Sequence, residues 1–393
     1  GNFIRRNKHI ETGGNIIAEN AENGNEWMSS SDERFRPVNL YNGPSGGLYI
    51  VDMYRGLVQH KIYLTSYLRN QAESRGLEKG IDKGRIYRVV YKGNNTSSTK
   101  LAKANGSDLV AALSSDNGWV RDTAQRLLIE SKDDVNYKLA NLAKEGNHAL
   151  GRVHALWSLE GRAAISPDII LDALKDVDRS VRMSAARLAE PWLKVTGSDA
   201  ILDQLILNTR TDDITELRQM VLSLGAQKNI LSHMAIRSVL YNHAEKPHIL
   251  DAALSGLAGQ ELEFLELLLG EKRWHNAKNR SNVIEALADC IFKEGRPSRV
   301  GNLVYYTYGR RTQDWQRISI LRGIDRNSSK GKPVYYDKKP SMLSKLQKSK
   351  YPEEAKLAKS IDKLFLWKGK PGVKPLPPLR PLNDTEQALY TQG

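Results

Sequence analysis

The chain has 393 residues, with 59 Lys and Arg against 45 Asp and Glu and a single cysteine. This length provides for two or three domains, and a content of 40% hydrophobic and 26% charged residues excludes wholesale disorder. One cysteine excludes a disulfide framework, a cysteine-based zinc site and a C-x-x-C-H haem-attachment motif within these residues, and no run of 18 apolar residues is present to span a bilayer.

The net charge of +14 is concentrated near the end of the chain. Residues 326–393 hold 15 basic and 6 acidic side chains, whereas residues 93–325 hold 30 and 29. Because the long middle section is nearly neutral, it makes a poor phosphate-binding surface, and we expect no nucleic-acid partner. The Lys-rich tail has few aromatic residues, which favours an extended, solvated connector over a nucleic-acid arm.

Residues 1–92 have the pattern of a β-structure. Strands are predicted over 35–41 and 48–51, joined by a Gly-Pro-Ser-Gly-Gly turn, and over 84–91, where side chains alternate with a period of two. Three short strands cannot bury a sheet face alone, so we expect this section to belong to a larger β-structure that begins upstream of the first residue.

Residues 101–325 follow a helical repeat, after a polar linker at 93–100. The motif LSSDNGWVRDTAQRLL at 113–128 recurs as LKDVDRSVRMSAARLA at 174–189, an offset of 61 residues, and a related segment lies about halfway between them. An Asp before an apolar-Arg-x-x-Ala helix, at a period near 30, is typical of HEAT-like helix pairs. The Asp caps the helix, the Ala allows close packing, and the Arg can reach an acidic residue of the next repeat. We therefore expect a one-dimensional stack of helix pairs.

Residues 326–382 have the composition of a basic, Pro-rich connector. One helix is predicted from Pro352 to about Trp367, and the five prolines that follow indicate an extended, polyproline-like stretch. The final residues, 383–393, have the pattern of a newly capped helix that stops after barely two turns.

Three stretches together resemble one bacterial protein family. The run DERFRPVNLYNGPSGGLYIVDMYRGLVQH at 32–60 and GRIYRVVY at 84–91 resemble the last blade of a β-propeller family named membrane-bound dehydrogenases and related to the soluble glucose/sorbosone dehydrogenases. In that family HEAT-like repeats follow the propeller and precede a C-terminal c-type cytochrome domain. PLNDTEQALYTQG at 381–393 is similar to the opening helix of that cytochrome domain. We expect the chain to be a fragment that runs from the last blade to just before the haem motif.

The resemblance implies a mixed, mainly α fold. It places the C-terminal blade of a β-propeller at 1–92, a HEAT-like α-solenoid at 101–325, a connector at 326–382 and the start of a cytochrome c-like domain at 383–393. It also implies an exported protein, periplasmic or at the cell surface, that oxidises a sugar or alcohol with a quinone cofactor and passes electrons to haem c. The haem motif is absent from this chain, so the fragment alone is expected to be inactive.

The role of the helical repeats has two interpretations. In the first, they are the spacer between the oxidising module and its redox partner, the haem domain. In the second, the protein is a non-enzymatic scaffold in which repeats and propeller bind proteins or glycans, because solenoids present long concave docking surfaces.

Four side chains near the second predicted strand are candidate site residues. Asp52 ends the strand, where a propeller carboxylate can face the central channel and bind Ca²⁺ or orient a substrate; the alternative is a turn-capping Asp that accepts backbone N–H groups. Arg36 and Arg55 suit a two-point grip on a quinone carboxylate, or an ion pair within the blade. His60 is of the residue type that serves as general base near neutral pH, although no carboxylate at a fixed spacing orients it.

Overall fold

The computed structural model describes residues 2–58, 60–80, 82–93, 100–195, 199–308 and 312–371. The fold is mixed and mainly helical, as the sequence predicts. The chain divides into two compact units, Gly1–Val239 with Glu245–Gly256 and Leu240–Ala244 with Leu257–Gly393. In the part of the chain that is described, no helix combines the length and apolar character needed to cross a bilayer.

Short antiparallel strands form the N-terminal part of the first unit. They are β1 (Phe3–Ile4), β2 (Asn7–Thr12), β3 (Asn15–Asn20), β4 (Met28–Ser29), β5 (Pro37–Asn42), β6 (Leu48–Asp52) and β7 (Arg85–Val89), with helix α1 (Ser66–Ser74) before β7. β1 pairs with β4, β2 and β3 form a hairpin, and β5, β6 and β7 form a sheet in that order. The last three coincide with the predicted strands, whereas the sequence pattern does not predict the first four.

One face of the three-stranded sheet is buried by a strand of the same chain. Ile50, in the middle of β6, is fully buried and clusters with Phe35 and with Ile4 of β1. Successive side chains on a strand point to opposite faces, so Tyr41 and Ile86 belong to the other face, where they are 56% and 68% exposed. Within the described residues the sheet thus buries one face around Ile50 and leaves the side chains of Tyr41 and Ile86 on the other face exposed.

The rest of the first unit is an array of helices. They are α2 (Gly106–Ala112), α3 (Gly118–Glu130), α4 (Asn136–Glu145), α5 (Ala149–Gly161), α6 (Pro167–Ala173), α7 (Arg179–Ala189), α8 (Asp199–Asn208), α9 (Ile214–Leu224), α10 (Ile230–His243), whose last residues fall in the second unit, and α11 (Ile249–Gly256). The predicted cap is confirmed at Asp178, whose carboxylate accepts the Ser180 N–H at 2.7 Å. Asn117 and Asp213 cap α3 and α9 in the same way.

A repeated arginine binds the loop before its own helix, and in two of three cases it also reaches the next helix pair. Arg121, Arg152 and Arg182 each donate to the carbonyl six residues before them, at 2.6–2.7 Å. Arg182 also forms a two-point ion pair, at 2.6 Å for both bonds, with Glu216, which is 1% exposed. Arg152 grips Asp176 in the same manner. The predicted reach of the arginine to a following acidic residue is confirmed for these two.

Two glycines mark the closest approach between helices of the array. A Cβ atom on Gly225 would lie 2.4 Å from the Cα of Gly256, and the reverse distance is 2.5 Å. No side chain fits there, so α9 and α11 pack backbone to backbone at this point.

The second unit continues with helices and ends in a small cap. The helices are α12 (Glu261–Gly270), α13 (Lys272–His275), α14 (Ser281–Lys293), α15 (Pro297–Tyr306) and α16 (Asp314–Asp325). The cap comprises β8 (Val334–Tyr336), α17 (Ser341–Gln347), α18 (Pro352–Ser360) and β9 (Phe365–Trp367), with β8 and β9 paired in parallel.

This cap corrects the expectation of an extended connector. The predicted helix starting at Pro352 ends at Ser360, and the chain then forms a short 3-10 turn and β9. Phe365 is fully buried, and its ring centroid lies 5.9 Å from that of Phe292 in α14. The Glu354 carboxylate accepts a hydrogen bond from Arg317 of α16 at 2.8 Å. Burial of such side chains favours a packed structure here, although many of the surrounding residues are lysines. The proline-rich residues from 372 to 382 and the predicted cytochrome start at 383–393 lie outside the described residues.

Candidate functional site

Asp52 lies at the end of β6, buried to 1% exposure. Its Oδ1 accepts the backbone N–H groups of Arg36, at 2.8 Å, and of Tyr54, at 2.7 Å. This is the geometry of the turn-capping alternative, in which one oxygen holds the start of β5 and the turn after β6 together. Its Oδ2 is also buried and has no hydrogen-bond partner within the described residues.

Tyr54 follows in a left-handed backbone conformation, with φ of 51°, that large side chains seldom adopt. The Arg85 guanidinium covers its ring at 3.5 Å from the centroid. The Arg34 backbone N–H and the Tyr54 hydroxyl both donate to Asp32, and these bonds hold the pKa of the Asp32 carboxyl below its usual range. The bond to Asp32 raises the pKa of Tyr54. The turn is thus held by the Asp52 carboxylate from within and by Asp32 and Arg85 from outside.

The Arg36 side chain is used within this turn. Its guanidinium donates to the Asn2 side-chain oxygen, to the Phe35 carbonyl at 3.1 Å and to the Gly56 carbonyl at 3.2 Å. These bonds connect the segment before β1 to the segment after β6. An added Cβ on Gly56 would lie 2.6 Å from Leu77, so this position requires glycine.

The other two candidates are not brought into this cluster. Arg55 and His60 are both exposed, and neither donates to or accepts from Asp52 or Arg36 in the described part of the chain. The His60 ring lies edge-on to Tyr63, with centroids 6.2 Å apart. The structure therefore places Asp52 and Arg36 together at the strand end and leaves Arg55 and His60 on the surface.

The described residues contain no group of three or more His, Cys, Asp and Glu side chains arranged to hold a metal ion. The Asp52 carboxylate thus has one buried, unpartnered oxygen and no neighbouring acidic set among these residues. Ca²⁺ prefers six to eight oxygen ligands. A Ca²⁺ role for Asp52 stays a prediction.

The β2–β3 hairpin is fastened to the helical array by an ionic cluster. Glu11, near its tip, accepts from Arg179 of α7 at 2.5 and 3.1 Å and from the Thr215 hydroxyl of α9. Arg179 also donates to Asp213, the cap of α9, at 2.5 Å. The bonds from Arg179 and Thr215 lower the pKa of Glu11, and the bonds to both carboxylates raise that of Arg179. One glutamate of the hairpin thus bridges the starts of two successive repeat helices.

The turn of the hairpin seats directly on α9. Gly13 and Gly14 form a two-residue connection with φ of 56° and 90°, the conformation of a type I′ turn. A Cβ on Gly14 would lie 2.5 Å from the Ile214 side chain, and the Gly14 carbonyl accepts from Arg218 at 3.3 Å. Glycine is therefore required here both for the turn and for the close approach to the helix.

The turn between β5 and β6 makes a second attachment. The Asn117 side chain caps α3 through its oxygen, and its nitrogen donates to the carbonyls of Gly43 and Pro44 at 2.9 and 3.3 Å. The same residue thus begins a repeat helix and binds the strand section. Both attachments lie at the N-terminal ends of the second helices of repeats.

Sequence reasoning missed these attachments. The residues that form them are Glu11, Gly14, Asn117 and Arg179. The sequence around each of these residues indicates only local structure and not the distant partner. One signal was available, because Gly-Gly between two alternating segments predicts a two-residue hairpin. The sequence does not predict which helices the hairpin contacts, because Glu11 and Arg179 are 168 residues apart in the chain.

Comparison with protein families gives one match, to a domain of unknown function (DUF7133) over residues 1–93. The match covers the strand section through β7, that is 93 of 393 residues, and its description gives no activity or ligand. No curated protein matches the chain.

Proposed function

We propose that this chain is the scaffold portion of an exported, dehydrogenase-like multidomain protein. The strand section is part of the module that oxidises a sugar or alcohol, and a c-type haem domain accepts the electrons. The helical repeats hold the oxidising module in a fixed position. The redox part of this proposal rests on the sequence resemblance, and the scaffold part rests on the structure of the first unit.

The double attachment of the strand section to the array carries the scaffold part. A two-stranded hairpin is marginal in water on its own, yet β2–β3 projects its tip onto α7 and α9. A second bond set, from Asn117, holds the β5–β6 turn to α3. Two separated contacts restrict rotation as well as translation, as a spacer between two redox centres needs. Two successive steps of the array are in turn coupled by arginines, Arg152 to Asp176 and Arg182 to Glu216.

The redox part is tested on the intact gene product purified from its own host. Absorbance in the haem region is recorded before and after a panel of sugars and alcohols is added, with and without a soluble quinone, and dye reduction is followed in parallel. Haem bands that a substrate reduces support the proposal. Haem absent from the intact protein, or no redox response to any substrate, overturns it and leaves the non-enzymatic scaffold.

A further inference from the structure

The basic cap of the second unit contains a cleft lined by lysines and tyrosines. Residues 326–371 carry 13 basic and 4 acidic side chains. The cleft has a volume of about 340 Å³ and lies between the end of α15, α16, the end of α17 and the start of α18. Clefts of this size are at the lower end of those that take small ligands or a few side chains of a peptide.

The floor of the cleft is a closed polar network. Glu354 is 5% exposed and accepts from Arg317 at 2.8 Å and from the Ser349 hydroxyl. Arg317 also donates to the Thr312 carbonyl at 3.0 Å. The one carboxylate in the cleft lining is therefore paired with Arg317, which it shares with Asp314, and opposes an incoming anion less than a free carboxylate would.

The rim of the cleft carries three lysines that have no acidic partner within the described residues. Lys345, Lys348 and Lys350 are exposed, and none of them forms an ion pair within the described residues. The Lys345 ammonium lies 5.0 Å from the ring centroid of Tyr308, and that of Lys350 lies 5.2 Å from the ring centroid of Tyr351. These cation–π contacts hold two of the ammonium groups at the mouth of the cleft.

We propose that this cleft docks an acidic polypeptide segment, one whose carboxylates meet the three lysines while an apolar side chain packs against the exposed edges of Tyr308 and Tyr351. The charge complementarity points to an anion. A lysine lies over each tyrosine ring, which leaves less aromatic surface for stacking by a nucleic-acid base and favours a polypeptide over single-stranded nucleic acid. This surface is independent of the attachment of the strand section.

The test measures binding of a fluorescein-labelled octaglutamate peptide that ends in tyrosine to the whole chain, by anisotropy at low and at physiological salt. The variant Lys345→Gln, Lys348→Gln, Lys350→Gln is expected to weaken binding about tenfold, since each exposed ion pair contributes modestly and three are removed. The matched control Lys330→Gln, Lys332→Gln, Lys359→Gln removes the same charge elsewhere within residues 326–371 and is expected to stay within twofold of the wild type.

An equal loss in both variants would show that only diffuse charge acts and would overturn the proposal. So would a wild-type chain that does not bind the peptide at low salt, or one that binds a labelled oligothymidine of equal length more tightly than the peptide. Circular dichroism spectra that match the wild type confirm that both triple variants are folded.

Discussion

Glu11 is the side chain on which the attachment of the hairpin most depends. It receives two bonds from Arg179 and one from Thr215, and its neighbours in β2 and β3 are exposed. Charge-assisted bonds of this kind are stronger than neutral ones, but exposure and salt reduce their contribution. These bonds therefore position the hairpin on the helices. Because they all involve Glu11, a single substitution of this residue removes them.

Glu11→Gln is expected to lower the amide exchange protection of β2 and β3 about threefold, because it removes the charge that pairs with Arg179 while keeping the side-chain volume. Hydrogen exchange by mass spectrometry on peptides covering residues 7–20 measures this. Glu19→Gln is the control, since it makes the same change on the same hairpin at an exposed position. Equal loss in both variants would contradict a specific role for Glu11.

The same attachment should weaken in acid. Because bonds from Arg179 and Thr215 lower the pKa of Glu11 below its usual range, the carboxylate binds protons less readily when docked than when free. Its contribution is complete above about pH 6, where even the free form is ionised, and is lost as the pH falls through the lowered pKa. Exchange of the hairpin amides, corrected for the intrinsic rate, should rise on acidification in the wild type. In Glu11→Gln it should change much less.

Asp52→Ala is expected to lower the free energy of unfolding of the strand section by about 1–3 kcal/mol, because it leaves the N–H groups of Arg36 and Tyr54 unsatisfied. Asp52→Asn should cost less, since an amide oxygen can accept both bonds. Urea unfolding followed by hydrogen exchange of β5 and β6 separates the two. Equal damage from Asn and Ala would contradict a role for Asp52 that consists of accepting these two backbone bonds.

At the level of elements, the array depends on helices that approach without side chains between them. Gly225, directly after α9, and Gly256 of α11 meet backbone to backbone, and Arg152 and Arg182 each join one helix pair to the next. Small residues permit such contact, while a methyl group would force the helices apart. The regular spacing of the stack thus rests on a few positions.

Gly225→Ala is expected to destabilise the first unit by about 1–3 kcal/mol, since the new Cβ would overlap the backbone of α11. Gly118→Ala, at the start of α3, is the matched control, because its Cβ meets only the flexible end of Arg121 at 3.6 Å. Thermal unfolding by circular dichroism compares them. Similar midpoints for Gly225→Ala and the wild type would contradict the close packing of α9 and α11.

How well the sequence predicts each element depends on how local its signal is. The cap at Asp178 and the arginine four residues later, Arg182, belong to one short motif, and the sequence predicts both. Asp52 was placed correctly at a strand end, and its turn-capping geometry was one of the two alternatives. The cap around Phe365 was missed, because composition reports the many exposed lysines and not the few buried anchors. The contact between Gly14 and Ile214 is not predicted, because nothing in the sequence near either residue indicates the other.

At the scale of the whole molecule, the main feature is a strand section that the helical array of the first unit holds at two separate places. Hairpin β2–β3 contacts α7 and α9, and the β5–β6 turn is hydrogen-bonded to Asn117 at the start of α3. A displacement of the strand section would therefore have to break both sets of attachment bonds at once. Fixed positioning is the property that the proposed scaffold needs, whatever chemistry the attached modules perform.

The most direct measurement is the distance distribution between two spin labels in the whole chain with Cys290 replaced by alanine, one label on the hairpin at Glu19 and one on α8 at Asp203. A control pair at Asn141 and Asp203 reports the array alone. Pulsed dipolar spectroscopy should give a hairpin-to-array distribution about as narrow as the control, and Glu11→Gln should broaden it. A distribution in the wild type that is much broader than the control would contradict the account, since the strand section would then move freely on the array.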